Sequence, residues 1–316
     1  LMQKVIMQLI NDIDDISKPF KNAVITIGNF DGVHIGHQAL LNRTVEKAGA
    51  MDGESLAITF KPHPARVLKQ NNHPPLITLY EQKVELISRL GIDILITIPF
   101  TREFARITAK QFVEELLVGK IGIKAIVIGK DYTFGKNREG NVSLLKYFAD
   151  SFGFAVIVVD WTPVSNHIHG RISSTKIRKL IMEGNVSDAE KLLGRFYQIK
   201  GTVIGGRDRG GKILGFRTAN INLKDELCPK TGIYAVTVQH DDKKHKGVAN
   251  IGYSPTFDDH IFTVEVHILN FNENIYGEKI RVNFIQRIRD EIKFSSIAAL
   301  SRQIEKDVEE AHNILA

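Results

Sequence analysis

Apolar and polar positions follow two different periods along the chain. Through residue 185, β-branched and other apolar runs at 23–28, 55–60, 93–98, 125–129 and 154–160 are separated by helically spaced stretches at 37–50, 80–90, 109–119 and 141–152. Buried parallel strands read as continuous apolar runs, and intervening helices cover both sheet faces, so this half predicts a doubly wound α/β unit. A helix over 174–183 ends at Gly184, and Val186 to Leu193 adds a short amphipathic segment. Beyond Gly194-Arg195-Phe196-Tyr197 the pattern changes. Apolar alternation at 232–239, 246–251, 262–269 and 278–284, between Gly, Asn and Asp clusters and without helices, predicts an antiparallel barrel. Residues 296–316 return to helical spacing and are expected to pack on that barrel. The expected domains are 1–185 and 186–316.

Length supports two cores, because 316 residues exceed the size at which single cores stop growing. Hydrophobic and charged fractions of 43% and 25% are those of an ordinary globular protein. No apolar run approaches a membrane span and the opening residues lack a signal-peptide pattern, so membrane association is not expected. The single cysteine, Cys228, excludes an internal disulfide and agrees with a cytoplasmic location. The net charge of +6 suits phosphate-bearing ligands. Its basic residues are dispersed among acids with no aromatic-interleaved stripe, so nucleic acid is not an expected partner.

Candidate chemistry begins at residues 28–37, Gly28-Asn29-Phe30-Asp31-Gly32-Val33-His34-Ile35-Gly36-His37, directly after the first apolar run. A glycine-bearing turn entering a helix presents unpaired N–H groups to an anion. His34 and His37 are three residues apart, which puts both imidazoles on one helical face, where they can donate to phosphate oxygens. A zinc site would need a third ligand at a suitable spacing, and Cys228 is remote in sequence.

His34-Ile35-Gly36-His37 is the HIGH signature of nucleotidylyltransferases, and the whole segment resembles the adenylyltransferase half of bacterial bifunctional riboflavin kinase/FAD synthetases. Three later stretches fit in order: Thr59-Phe60-Lys61-Pro62-His63-Pro64, Gly129-Lys130-Asp131-Tyr132-Thr133-Phe134-Gly135, and Ile172-Ser173-Ser174-Thr175-Lys176-Ile177-Arg178. Each also has a structural reading: the serines make a good helix cap and the prolines a stiff turn. The resemblance implies a Rossmann-like domain that binds ATP through Gly28, Asn29, Phe30, Asp31, Gly36, Ser174, Thr175 and Arg178. It gives His34 and His37 catalytic roles on the phosphates and puts His63, Asp131 and Phe134 on the flavin side.

The second half resembles the riboflavin kinase domain of the same family, through Leu214-Gly215-Phe216-Arg217-Thr218-Ala219-Asn220-Ile221, Asn250-Ile251-Gly252 and Val264-Glu265-Val266-His267. The resemblance implies Thr218 and Asn220 as nucleotide and metal ligands, Glu265 as catalytic base and Arg289 as a flavin contact. It implies ATP as substrate, Mg²⁺ as cofactor, and riboflavin, FMN and FAD as substrates and products. Arg217 replaces the proline of the P-T-A-N pattern and Ser254 replaces the arginine usual before Pro255. These departures leave open a monofunctional FMN adenylyltransferase with a degenerate kinase barrel. A nucleotide-responsive RNA-binding protein is the remaining, more distant alternative.

Overall fold

The computed structural model describes residues 6–69, 73–160, 172–204, 218–223, 225–253 and 262–316. Arg217, Ser254 and the glycine-rich stretch 205–212 lie outside the described residues. The chain forms two compact units, Leu1–Ser174 and Thr175–Ala316.

In the first unit, β1 (Gln8–Ile10), β2 (Ala23–Ile27), β3 (Ser55–Lys61), β4 (Ile94–Pro99), β5 (Ile123–Gly129) and β6 (Ala155–Val159) make one sheet in the order β1-β4-β3-β2-β5-β6. Every pairing is parallel. The helices are α1 (Ile35–Ala50), α2 (Pro64–Leu68), α3 (Tyr80–Ser88), α4 (Ala109–Gln111) and α5 (Val142–Phe152). α4 continues as a π-helical stretch, Phe112–Ile121, where the sequence predicts an ordinary helix. Alternate strand residues supply two cores, as the period of two requires. Ile25, Ile58, Ile96 and Ile126 pack with Phe112, Leu117 and Leu145 on one face, while Ala57 and Leu95 meet Leu41 and Ile87 on the other. β2 lies between β3 and β5, so strand order reverses there, the place where open α/β sheets bind ligands beyond the carboxyl ends of their strands.

The second unit contains α6 (Ser174–Met182) after its first residue, α7 (Val186–Leu193), and a closed barrel of β7 (Tyr197–Ile204), β8 (Ala219–Asn222), β9 (Gly232–His240), β10 (Lys243–Tyr253), β11 (Phe262–Ile268) and β12 (Lys279–Arg289). The barrel order is β10-β11-β8-β7-β12-β9, with antiparallel pairing throughout. Inward residues Tyr197, Tyr234, Val236, Ile251, Val264 and Phe284 are essentially inaccessible. The C-terminal helix α8 (Ile297–Ile314) buries Ala311 against Ile233, Ala235 and Val248 on the outer barrel surface. α6 is fastened to the same unit: the Lys230 N–H donates to the Ile181 carbonyl at 3.2 Å, and Gly184 lies against the Arg287 side chain.

Candidate active sites

The turn after β2 is bent into an unusual backbone path. Phe30, Gly32 and Val33 have φ of +47°, +88° and +38°. Positive φ is natural for Gly32, but for the β-branched Val33 it is a strained conformation of the kind that persists when surrounding structure over-determines it. That surrounding structure is visible. The buried Asp31 carboxylate accepts from the backbone N–H groups of Ile77 (3.0 Å) and Thr78 (3.2 Å), and the Gly32 N–H donates to Thr78 Oγ1 (3.1 Å). Asp31 therefore braces the turn from behind.

α1 starts from this turn. His34 is its N-cap, and its Nδ1 accepts from the His37 N–H at 3.2 Å. An accepting Nδ1 carries no proton, which leaves Nε2–H as the ring's donor. The His37 ring stacks on that of His34 and meets Phe30 edge-on at 5.4 Å. Gly36 makes the stack possible: a Cβ there would stand 3.3 Å from the His34 ring. Gly28 likewise leaves room for the Phe30 ring, 3.1 Å from its would-be Cβ. Ser174 Oγ donates to the Asp31 carbonyl at 2.8 Å, joining the serine-threonine motif to the turn. Gly28, Asn29, Phe30, Asp31, His34, Gly36, His37 and Ser174 thus come together. Thr175 is exposed and Arg178 buried on the continuation of α6, within the second unit.

The flavin-side residues are spread over two loops. His63 caps α2, its Nδ1 accepting from the Ala65 N–H at 3.1 Å. Asp131 is exposed just past β5. Phe134 is buried, stacked on Tyr132 at 5.6 Å and tilted against Phe112 at 5.7 Å. Its backbone bridges to Gly140, where any Cβ would fall 2.7 Å from the Phe134 ring. The aromatic contacts of Phe134 are thus made to the core.

Sequence inspection passed over Lys83. It sits on α3 at 6% exposure, and its Nζ donates to the Asn29 carbonyl at 2.7 Å and reaches Thr59 Oγ1 at 3.5 Å. Burial pulls its ammonium down to about 8, with the Asp31 carboxylate opposing the shift. Its helix neighbours Glu81, Gln82 and Glu85 are polar as well, so nothing local sets it apart.

In the barrel, register does what residue types alone cannot. Asn220 pairs with Glu265, Glu265 with Asn250, Asn250 with Ile233, and Ile233 with Arg289. One row crossing β8, β11, β10, β9 and β12 therefore carries three of the predicted kinase residues on one face, directly paired side chains being about 5 Å apart at Cβ. Thr218 immediately precedes β8. Burial raises the Glu265 carboxyl above its ordinary range, which suits a group that must take a proton. Asn250, absent from the predicted set, presents a buried Oδ1 with no hydrogen-bond partner among the described residues. At the far end of the row Arg289 donates to both carboxylate oxygens of Asp307 on α8, at 2.8 and 2.6 Å.

A family model described as FAD synthetase matches residues 16–176, and one described as riboflavin kinase matches residues 193–315. A bifunctional riboflavin kinase/FMN adenylyltransferase from Buchnera aphidicola subsp. Schizaphis graminum is 40% identical, covering 96% of this chain and 97% of its own. Proteins of the same description from Listeria monocytogenes (39%; 93% of each chain) and Escherichia coli K12 (36%; 95% of this chain and 96% of the relative) agree. A crystal structure described as a macrolide-efflux protein from Streptococcus pneumoniae superposes with a TM-score of 0.88 at 34% identity, covering 98% of this chain and 99% of its own. Among the described residues of this chain, no helix is long and apolar enough to cross a membrane. With a HIGH turn at the switch point of a parallel sheet, a glutamate row on a closed barrel and full-length relatives of one description, the chain belongs to the bifunctional riboflavin kinase/FMN adenylyltransferase family.

Proposed function

We propose that the two units carry the two consecutive steps of FAD synthesis: the second phosphorylates riboflavin with ATP to give FMN, and the first joins FMN to the adenylyl group of a second ATP, releasing pyrophosphate. The observation that carries this reading is the pairing of a braced, stacked-histidine turn in one unit with the Asn220–Glu265 row in the other.

In adenylyl transfer an FMN phosphate oxygen attacks the α-phosphorus, and the bond from that phosphorus to the pyrophosphate oxygen breaks. Both reactants are anions, so the protein's work is to align them and to favour charge passing to the leaving group. The His34 Nε2–H, the His37 ring and the N–H groups at the start of α1 supply donors, with Gly28, Asn29, Phe30 and Asp31 shaping the cradle. Ser174, Thr175 and Arg178 serve the triphosphate. His63, Asp131 and Phe134 serve the flavin side, the last from a loop that its packing on Tyr132 and Phe112 supports.

In phosphorylation the Glu265 carboxylate accepts the proton of the riboflavin primary hydroxyl as its oxygen attacks the γ-phosphorus and ADP departs. Thr218 and Asn220 offer neutral oxygen donors, and Asn250 Oδ1, unpartnered among the described residues, adds another in the row, a set that fits Mg²⁺. Mg²⁺ there would neutralise phosphate charge. Arg289 serves the flavin from the other end of the row while held by Asp307. The reading takes 1–185 and 186–316 as the two functional domains and the cytoplasm as their location, a division that falls within the gap left by the two family-model matches.

Product analysis with ATP, Mg²⁺ and either flavin tests this reading. FMN and then FAD should form from riboflavin, and FAD with pyrophosphate from supplied FMN. Conversion of FMN with riboflavin left untouched would assign the chain a single activity.

A further inference from the structure

Lys83 is a buried cation for which the reaction scheme above has no use. Its carbon stem runs within the first unit, and its Nζ ends on the Asn29 carbonyl at 2.7 Å, with Thr59 Oγ1 at 3.5 Å. Thr59 Oγ1 itself donates to the same carbonyl at 3.3 Å. The end of β3 and the face of α3 thus converge on a single peptide oxygen, the one preceding the strained residue Phe30.

Burying a lysine costs free energy that its hydrogen bonds to neutral oxygens only partly offset. A neutral donor could satisfy one carbonyl. A positive charge held behind a turn that receives polyphosphate does more, because low-dielectric surroundings lengthen the reach of its field.

We propose that Lys83 is a positioning residue for FMN adenylylation: its ammonium fixes the Asn29 carbonyl, and with it the Asn29–Asp31 turn, and sets a positive potential behind the phosphate cradle. This deepens, and rests on, the assignment of residues 28–37 as that cradle. Lys83 acts through Asn29 and touches no substrate. Its ammonium begins to lose its proton near pH 8, so the potential fades under mildly alkaline conditions. Charged or titratable groups on the elements round it are Asp31, His34 and His37 beyond the turn, Lys61 and His63 at the end of β3, and Tyr80, Glu81 and Glu85 on its own helix. Tyr80 is engaged by Thr97 Oγ1 at 2.9 Å and by Lys61 over its ring, and Asp31 by the Ile77 and Thr78 N–H groups.

The test compares Lys83→Met, which keeps the stem and removes the charge, with Lys83→Arg, which keeps a charge that does not titrate. For FMN-to-FAD conversion at neutral pH, Lys83→Met should lower kcat about tenfold or more with the KM for FMN within about threefold of wild type. The alkaline fall in wild-type rate should vanish in both variants, and Lys83→Arg should turn over faster than Lys83→Met. Wild-type kcat in Lys83→Met, or equal turnover by the two variants, overturns the proposal. Should Lys83→Met fail to fold by circular dichroism, the Lys83→Arg profile decides, and an unchanged alkaline limb there overturns it. His37→Ala separates this failure from failure of the cradle reading: an active His37→Ala enzyme removes the cradle itself, whereas an inactive one beside a normal Lys83→Met removes only the role of Lys83.

Discussion

The imidazoles of His34 and His37 are stacked with centroids 3.6 Å apart and planes within 14°. The backbone reinforces the stack, because the His37 N–H closes onto His34 Nδ1 and so commits that ring to donating from Nε2. Two rings held in one stack present their donors as a unit, at the helix terminus where an anion is already favoured.

Removing one ring tests this arrangement. His37→Ala should lower FMN-to-FAD turnover by about a hundredfold or more, because the lost donor counts most as charge moves onto pyrophosphate. Riboflavin phosphorylation, carried by the other unit, should barely change. Near-normal FAD synthesis would remove the phosphate-stabilising role assigned to these histidines.

Gly36→Ala separates geometry from stability. Alanine is the better helix former by about 1 kcal/mol, so the variant should melt no earlier than wild type. Yet its Cβ would crowd the His34 ring at 3.3 Å and tilt it from the stack. FAD formation should therefore fall about tenfold while thermal stability holds. Full activity would mean that the ring can shift without consequence.

Glu265→Gln keeps the shape of the side chain in the Asn220–Glu265–Asn250 row and removes its basicity. FMN formation from riboflavin should drop by about a hundredfold or more, and conversion of supplied FMN to FAD should survive. Loss of both activities would point to misfolding. Loss of neither would leave Glu265 as an ordinary strand residue.

Much of this was legible in the sequence, and the illegible parts share a cause. The β2–α1 junction could be read because strand, turn and helix are contiguous and each obeys its own period. The helix Val186–Leu193 has the bounds its apolar spacing predicts. β1, with three residues of which only Ile10 is buried, has no period to detect, and β8 is only four residues long. Asn220, Glu265 and Arg289 could be nominated by resemblance. Their common row could not be, since it depends on strand order and on register shifts between Phe284 and Gln286 and between Arg287 and Arg289. Lys83 escaped notice because its burial comes from tertiary packing of α3 against the turn, which no local pattern encodes. The burial of Phe134 was equally hidden, because it comes from packing on Tyr132 and Phe112 and from the bridge of its loop to Gly140.

Asp307 should prove structural through Arg289. Asp307 is 3% exposed and accepts from two guanidinium nitrogens, Nε and Nη2, with Gln303 Nε2 adding a third donor at 3.0 Å. Asp307→Ala leaves that arginine half-buried without its counter-charge. Breaking such a pair costs about 3–5 kcal/mol, measurable as a lower urea midpoint for the second unit. If Arg289 also serves the flavin, the KM for riboflavin should rise in the folded fraction. An unchanged midpoint would show that the pair adds nothing net to the packing of α8.

Lys83 makes a prediction about stability that is independent of its role in turnover. Its folded value of about 8 lies below the ordinary lysine value of 10.5, because burial disfavours the charged form. A group depressed on folding binds fewer protons in the native state than in the unfolded chain. Its contribution to stability is therefore present above the unfolded value and lost as pH falls through the folded one. Lys83→Met has no such group and no such slope. The difference in melting temperature, variant minus wild type, should accordingly move in favour of the variant as pH is lowered from about 10.5 to about 7. A difference that stays flat across that window would mean that the ammonium titrates alike in folded and unfolded chains. In that case it could not be the desolvated charge that the Asn29 carbonyl and the Asp31 carboxylate surround.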